Sequence, residues 1–262
     1  MKTFTKNIIP VLIFCSLLAS SNLFGGQGIK VGIDEKLGNY LPMNLKFTES
    51  DGKVVTLKEL ITKPTILALV YYECPGLCNP MQSELAWTID KLQLEPGTDF
   101  QVISLSFDHR ETPAIAAKWK KNYLQTIKRK FDPSDWIFLT GDSVSIKKIT
   151  DACGYHFRPA DKQYVHAATV IAISPDGKIT RYMFGTQFNP FDMKMALLEA
   201  EAGKASPTIA KVLQFCFSYD PSGRRYTLNI LRIMGSISLL GVGIFLGVLV
   251  IKKKKKIKKE GV

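Results

Sequence analysis

Apolar and polar residues follow one another along the chain in blocks that predict strands and helices in turn. Apolar runs predict strands at residues 66–72, 100–107 and 165–173. Segments with helical periodicity predict helices at residues 81–92 and 114–130. Shorter elements are predicted as strands at 136–139 and 179–184, and as helices at 143–153 and 192–202. Strands that alternate with helices and end in a late hairpin indicate an α/β domain with a mixed sheet.

Turn and capping residues mark where several of these elements begin. Residues 47–60, with Asp51-Gly52 at their centre, predict a hairpin. Thr56 and Glu59 have the spacing of a capping box, which predicts the start of a short helix. Thr112 followed by a proline predicts another helix start, with the threonine as N-cap and the proline in the first turn.

The N-terminal segment, residues 1–26, has the pattern of a secretory signal. Lys2 and Lys6 precede an apolar run, residues 8–18, which is too short to cross a bilayer. Small residues follow this run, but they do not define one cleavage point. The segment is therefore expected to be either a removed signal peptide or a retained N-terminal anchor.

The C-terminal part predicts a membrane attachment behind one folded domain at residues 27–205. Prolines and glycine interrupt residues 206–227, which we expect to form a stalk, and a transmembrane helix is predicted at 228–251. Its core is 19 residues without a charge, long enough to cross the hydrocarbon region, although a buried helix of a soluble protein is the alternative. The lysine-rich tail, 252–262, is expected in the cytoplasm by the positive-inside rule. The domain would then face the periplasm from the inner membrane.

The net charge of +12 does not favour a nucleic-acid partner. The C-terminal tail contributes +6 and the two N-terminal lysines +2, so the rest of the chain carries only +4. No basic stripe interleaved with aromatic residues is present in the sequence. The five cysteines are too few and too unevenly spaced for a disulfide scaffold, and they fit a working dithiol in an exported domain.

Cys74 and Cys78 lie where a predicted strand gives way to a predicted helix. Four residues are about one helical turn, so both sulfurs can lie on one face. A thiol at a helix N-terminus also faces unpaired N–H groups, which favour its thiolate. Such a pair can close a disulfide or hold one soft metal ion. The alternative is two unrelated cysteines of the hydrophobic core.

Three histidines are present, and His166 is the most informative of them. It is predicted at the start of the strand at 165–173, and strand ends are where site residues collect in layered α/β sheets. A lone histidine is more often a satisfied polar group than a ligand, but together with Cys74 and Cys78 it completes a soft three-ligand set. Thiolates select Cu(I), and thiolates with imidazole suit copper generally. Zinc would accept these ligands too, but no fourth ligand is obvious.

The sequence resembles the Sco/SenC family of membrane-anchored copper proteins over roughly residues 45–200. Three segments carry the resemblance: residues 71–78 (YYECPGLC), 104–113 (SLSFDHRETP), and 164–167 (YVHA) with 174–177 (SPDG). The resemblance implies a thioredoxin-like fold, in this chain a mixed sheet flanked by helices. Common members carry only an N-terminal anchor, so the predicted C-terminal span sets this chain apart.

The resemblance also implies roles for individual residues. The family's CxxxC pair and distant histidine bind copper, and these roles fall on Cys74, Cys78 and His166. Asp108 matches the acidic residue that supports the site in the family, whereas His109 and Glu111 depart from the family's usual proline and aspartate at the neighbouring positions. The implied function is delivery of copper to the dinuclear copper site on the copper-bearing subunit of cytochrome c oxidase.

A second function stays open, because the same pair can act as a thiol–disulfide oxidoreductase that reduces client cysteines. A peroxidase of the peroxiredoxin type is disfavoured, since Tyr71 stands where that chemistry needs a threonine. A purely structural membrane protein would leave the placement of the cysteine pair unexplained. We expect Cys153 to be a buried structural residue and Cys216 to pack near the membrane. The histidines at 109 and 156 are expected at the surface or behind the site.

Overall fold

The computed structural model describes residues 31–161 and 163–205, together with the backbone of a hairpin at 217–220 and 225–228 and the helical positions 238 and 241. The predicted signal or anchor at 1–26 and the lysine-rich tail lie outside the described residues. So do most of the predicted stalk and of the predicted membrane span. No helix within the described part of the chain is both long enough and apolar enough to cross a membrane.

A seven-stranded mixed sheet forms the centre of the domain, as predicted. The strand order across the sheet is β11-β10-β4-β5-β6-β2-β3. The β4–β5 and β5–β6 pairs are parallel, and the other pairs are antiparallel. Every residue of β4 and β5 is buried, which is typical of central parallel strands. The strands are β2 (Lys46–Glu49), β3 (Val54–Thr56), β4 (Thr65–Val70), β5 (Gln101–Ser106), β6 (Trp136–Thr140), β10 (Thr169–Ile173) and β11 (Ile179–Phe184).

Five α-helices of the described residues flank this sheet. The second contacts the third and the fifth, the third packs on β6 and β2, and the fifth packs on β10 and β11. They are α1 (Leu57–Leu60), α2 (Cys78–Lys91), α3 (Pro113–Leu124), α4 (Ser143–Ala152) and α5 (Pro190–Glu201).

The two helix starts that were predicted from capping residues are confirmed. Thr56 and Glu59 form the complete capping box: the Glu59 N–H donates to Thr56 Oγ1 over 3.3 Å, and the Thr56 N–H donates to a Glu59 carboxylate oxygen over 2.7 Å. Thr112 caps α3 through the Ile115 N–H, and Pro113 occupies the first turn.

Three small two-stranded sheets complete the described structure. The first pairs β1 with β7, the second pairs β8 with β9, and the third is the hairpin of β12 and β13. Their bounds are β1 (Gly32–Ile33), β7 (Tyr155–His156), β8 (Arg158–Ala160), β9 (Gln163–Val165), β12 (Phe217–Asp220) and β13 (Arg225–Leu228).

The structure corrects several predicted boundaries, and side chains explain two of the corrections. The strand predicted to reach residue 72 ends at Val70, because the Tyr72 and Glu73 N–H groups donate to the Glu111 carboxylate instead of to a neighbouring strand. The helix predicted to reach residue 130 ends at Leu124, and the N–H groups of the two residues after Ile127 donate to Asp90.

The strand predicted at 165–173 is two strands that belong to different sheets. Its first residue lies in β9, which pairs with β8, and residues from Thr169 onward lie in β10, which pairs with β4 and β11. His166 therefore lies in the connection between two sheets and not at the start of one strand. This connection runs beside the end of β4, because Val170 of β10 is opposite Ala68.

Candidate metal site

The two cysteines flank the turn of chain that leads into α2. Cys74 belongs to the loop after β4, and Cys78 is the first residue of the helix, three residues earlier than the sequence predicted. The loop folds back on itself: the Gly76 N–H donates to Cys74 Sγ over 3.4 Å, and the Asn79 side chain donates to the Cys74 carbonyl over 3.1 Å. These contacts turn the Cys74 sulfur towards the start of the helix.

His166 meets both sulfurs from the connection between β9 and β10. Its Nε2 atom lies 3.9 Å from Cys74 Sγ and 3.6 Å from Cys78 Sγ. The three donor atoms lie within 4.8 Å of one another, and they form the one metal-binding group of this kind among the described residues. The structure thus brings together three side chains that are up to 92 positions apart in the sequence.

Aromatic rings enclose the site, and its opening lies in the loop between the cysteines. The Phe107 and Tyr71 rings lie with their centroids 5.3 and 5.6 Å from the His166 ring. Both cysteine side chains are buried. The loop residues 75–77 are exposed, which leaves the surface next to the sulfurs accessible.

The two thiols differ strongly in acidity. A hydrogen bond from the Cys78 thiol, supported by the Tyr71 hydroxyl, lowers the pKa of Cys74 to about 3 against the opposing effect of burial. The pKa of Cys78 is raised, because its thiol is hydrogen-bonded to the Cys74 sulfur and because it is buried. At the helix N-terminus, burial of the Cys78 thiol and the neighbouring Cys74 thiolate therefore outweigh the helix dipole.

This donor set fits a soft metal ion. Two sulfurs and one imidazole nitrogen are ligands that copper and zinc both accept. Structural zinc sites are usually closed by a fourth protein ligand, and the group found among the described residues has three members. The geometry therefore favours an ion that accepts low coordination or takes a further ligand from outside.

Asp108 lies behind the site and does not join the donor group. Its carboxylate accepts hydrogen bonds from the Arg110 guanidinium, over 2.7 and 2.8 Å, and from the Tyr164 hydroxyl over 3.2 Å. Burial acts to raise the pKa of Asp108, but the Arg110 contacts outweigh it and the pKa is lowered. The Tyr164 ring packs against Tyr71 and Phe107, which in turn contact His166.

Glu111 supports the cysteine loop more directly than the sequence indicated. Its buried carboxylate accepts the N–H groups of Tyr72 and Glu73, each over 2.8 Å, and the Ser106 hydroxyl over 2.5 Å. Burial raises the pKa of Glu111 against these three bonds. Its departure from the family's aspartate was the only sequence signal of this role.

Tyr155 is a site residue that sequence reasoning missed. Its hydroxyl oxygen lies 3.0 Å from His166 Nδ1 and 2.8 Å from the Ala167 carbonyl oxygen. No sequence signal pointed to it, because the contact depends on how the small β1–β7 sheet is placed.

The remaining cysteines and histidines lie apart from the donor group or outside the described residues. Cys153 is fully buried at the end of α4, as expected, and burial raises its pKa to about 12. His109 is exposed, and His156 lies 3.2 Å from the Asp34 carboxylate. Cys216 lies outside the described residues.

Comparison with known proteins agrees with the fold. The sequence model of the family described as SCO1/SenC matches residues 35–200. The SCO1 protein homolog of Bacillus subtilis (strain 168) is 29% identical over 194 residues, which cover 71% of this chain and 91% of that protein.

Solved structures show the same architecture. A crystal structure from Aquifex aeolicus VF5, of a protein assigned to electron transfer, is 30% identical with a TM-score of 0.59, covering 64% of this chain and 95% of the other. Arabidopsis thaliana ScoI, solved with copper bound, is 22% identical with a TM-score of 0.51, over 63% and 97% of the two chains, and supports the thioredoxin-like fold alone. Because the family model covers more than half of its length, the chain belongs to the SCO1/SenC family.

Proposed function

We propose that this chain is a copper metallochaperone that holds copper through Cys74, Cys78 and His166. The observation that carries the proposal is the convergence of two sulfurs and one imidazole nitrogen within 4.8 Å. Thiolates prefer Cu(I), and the imidazole extends the set to Cu(II), which needs nitrogen or oxygen donors as well. The family membership supports the choice of copper over zinc.

The two thiols differ in acidity, and this difference gives each a separate role in binding the ion. Cys74 is already a thiolate at neutral pH and provides the first bond to the ion. Cys78 is protonated in the metal-free form and must lose its proton as its sulfur becomes a ligand, so loading releases a proton. Release would proceed by ligand exchange through the exposed loop at residues 75–77, where a recipient can approach the ion.

We further propose the recipient and the location. By the family resemblance, the recipient is the copper-bearing subunit of cytochrome c oxidase, whose dinuclear copper site would be completed. Residues 228–251 would anchor the domain to the inner membrane, with the domain in the periplasm and the tail at 252–262 in the cytoplasm. Residues 1–26 would be a signal peptide or a second anchor, and 206–227 would form the stalk.

A thiol–disulfide oxidoreductase is the second candidate, and the pair's asymmetry favours it. Reductases of this kind need one attacking thiolate and one neighbouring thiol that resolves the mixed disulfide. Cys74 has the lowered pKa and Cys78 the raised one, which fits this division of roles. In this chemistry His166 would be dispensable as a ligand.

Metal loading of the full-length protein in mild detergent would separate the two functions. The reduced protein is loaded with Cu(I), and in parallel with Cu(II), then desalted and analysed for metal. One copper per chain, with a sulfur-to-copper charge-transfer band for Cu(II), is expected for the chaperone.

The controls assign that signal to the site. Cys74→Ser and Cys78→Ser should each abolish binding, whereas Cys153→Ala removes a buried thiol outside the donor group and should keep it. A wild-type protein that binds no copper but reduces client disulfides would favour the reductase.

A further inference from the structure

The hydroxyl of Tyr155, the Nδ1 atom of His166 and the carbonyl oxygen of Ala167 form a closed triangle behind the metal site. The hydroxyl oxygen lies 3.0 Å from Nδ1 and 2.8 Å from the carbonyl oxygen, and Nδ1 lies 2.9 Å from the same carbonyl oxygen. All three separations are hydrogen-bond distances, so the hydroxyl and the imidazole must place their protons among these three atoms.

A count of the available protons shows which nitrogen of the His166 imidazole is protonated. The Ala167 carbonyl can only accept, and the Tyr155 hydroxyl has one proton to give. If Nδ1 of His166 carried no proton, its lone pair would face the carbonyl oxygen at 2.9 Å, and one hydroxyl proton would have to serve two acceptors. With a proton on Nδ1, the imidazole donates to the carbonyl or to the hydroxyl oxygen, and the hydroxyl donates to the carbonyl.

The fold holds the Tyr155 hydroxyl in this position. Tyr155 is buried, and Phe107 packs against its ring with centroids 5.5 Å apart. Its strand, β7, pairs with β1, where Ile33 is its direct partner. The preceding residue, Gly154, accepts the Asp34 N–H over 2.8 Å and has a positive φ of 59°.

We propose that Tyr155 is a positioning residue for metal binding at His166. Together with the Ala167 carbonyl, its hydroxyl keeps the imidazole proton on Nδ1, which leaves the Nε2 lone pair free to face Cys74 Sγ and Cys78 Sγ. The tautomer assignment stands on the metal-free protein, whereas its consequence for affinity rests on the proposed copper function.

The tautomer can be read in the metal-free protein. Only three histidines are present, so full-length protein labelled with ¹⁵N-histidine in detergent gives few signals, and His166→Gln identifies the relevant one. In reduced protein at a pH where the imidazole is neutral, we expect nitrogen shifts of an Nδ1-protonated ring. A ring protonated on Nε2 alone would overturn the proposal without any reference to copper.

Replacement of the hydroxyl provides the second test, with a matched control in the same fold. Tyr155→Phe leaves the Ala167 carbonyl as the partner of Nδ1, so the His166 ring loses one of its two hydrogen-bond contacts. Cu(II) binding should weaken about 10- to 100-fold, the usual cost of losing such a partner. Cu(I) binding, held by two thiolates, should change less than about threefold. Tyr182→Phe removes another buried hydroxyl that donates to a backbone carbonyl, that of Cys153, and should leave tautomer and affinity unchanged.

The possible outcomes distinguish the positioning role of Tyr155 from the proposed copper function. Unchanged Cu(II) affinity in Tyr155→Phe would refute the positioning role while leaving the copper function intact. A wild-type protein that binds no copper would refute the proposed function, and the tautomer of its His166 would still decide the positioning role.

Discussion

Replacing Glu111 by glutamine tests whether this buried carboxylate holds the cysteine loop. The carboxylate accepts two backbone N–H groups, from Tyr72 and Glu73, on its two oxygens. The glutamine amide keeps one accepting oxygen and presents an NH₂ group to the other N–H. One backbone donor beside the metal site therefore loses its partner, which costs about 1–3 kcal/mol when the donor is buried.

Urea unfolding of the full-length protein, followed by tryptophan fluorescence, measures this cost. Glu59→Gln is the matched control, because Glu59 also accepts a backbone N–H, that of Thr56, but at an exposed helix start where glutamine can serve equally. The control should change the free energy of unfolding by less than about 0.5 kcal/mol. If Glu111→Gln were as stable as the control, the anchoring argument would be wrong.

The stability difference between wild type and Glu111→Gln should also depend on pH. Burial raises the pKa of Glu111 above its ordinary value of 4.5, so the folded protein binds this proton more tightly than the unfolded chain. The stability linked to that proton is complete below the unfolded pKa and is lost as the pH rises through the folded one. Since glutamine does not titrate, the stability difference between wild type and Glu111→Gln should narrow as the pH rises above 4.5.

Three further predictions concern the metal ligands and the membrane. His166→Ala should weaken Cu(II) binding far more than Cu(I) binding in competition titrations, and equal losses for both ions would contradict the ligand assignment. In the reduced, metal-free protein, the ultraviolet absorbance of one thiolate should persist from neutral pH down to a transition near pH 3. Cys74→Ser should lack this absorbance, and Cys153→Ala should retain it. Protease added to intact spheroplasts should digest residues 27–227 and spare the tail, whereas digestion only after lysis would reverse the proposed topology.

Local pattern was sufficient to predict the sheet and the cysteine pair. The continuous apolar runs of β4 and β5 predicted buried strands. The short spacing of Cys74 and Cys78 predicted that their sulfurs lie close together. His166 was found from its donor chemistry and the family resemblance, although the strand assigned to it was wrong.

Contacts between distant segments were out of reach of sequence reasoning. Tyr155 meets His166 only because β7 pairs with β1, which lies more than a hundred positions earlier in the chain. The raised pKa of Cys78 was out of reach for a related reason: its burial and its contact with Cys74 are properties of the packed structure. A helix dipole can be inferred from the sequence, but the desolvation that opposes it cannot.

The position of His166 between two sheets has a consequence for the loaded protein as a whole. An ion bound by Cys78 and His166 would join two points that are 88 residues apart, and would so close a large loop of the chain. By the chain-entropy argument used for disulfides, a cross-link of this span can oppose unfolding by up to about 4–5 kcal/mol, provided that the ion stays bound. Release of the ion would remove this cross-link. Under the proposed function, the protein would therefore be least resistant to unfolding directly after it transfers the ion.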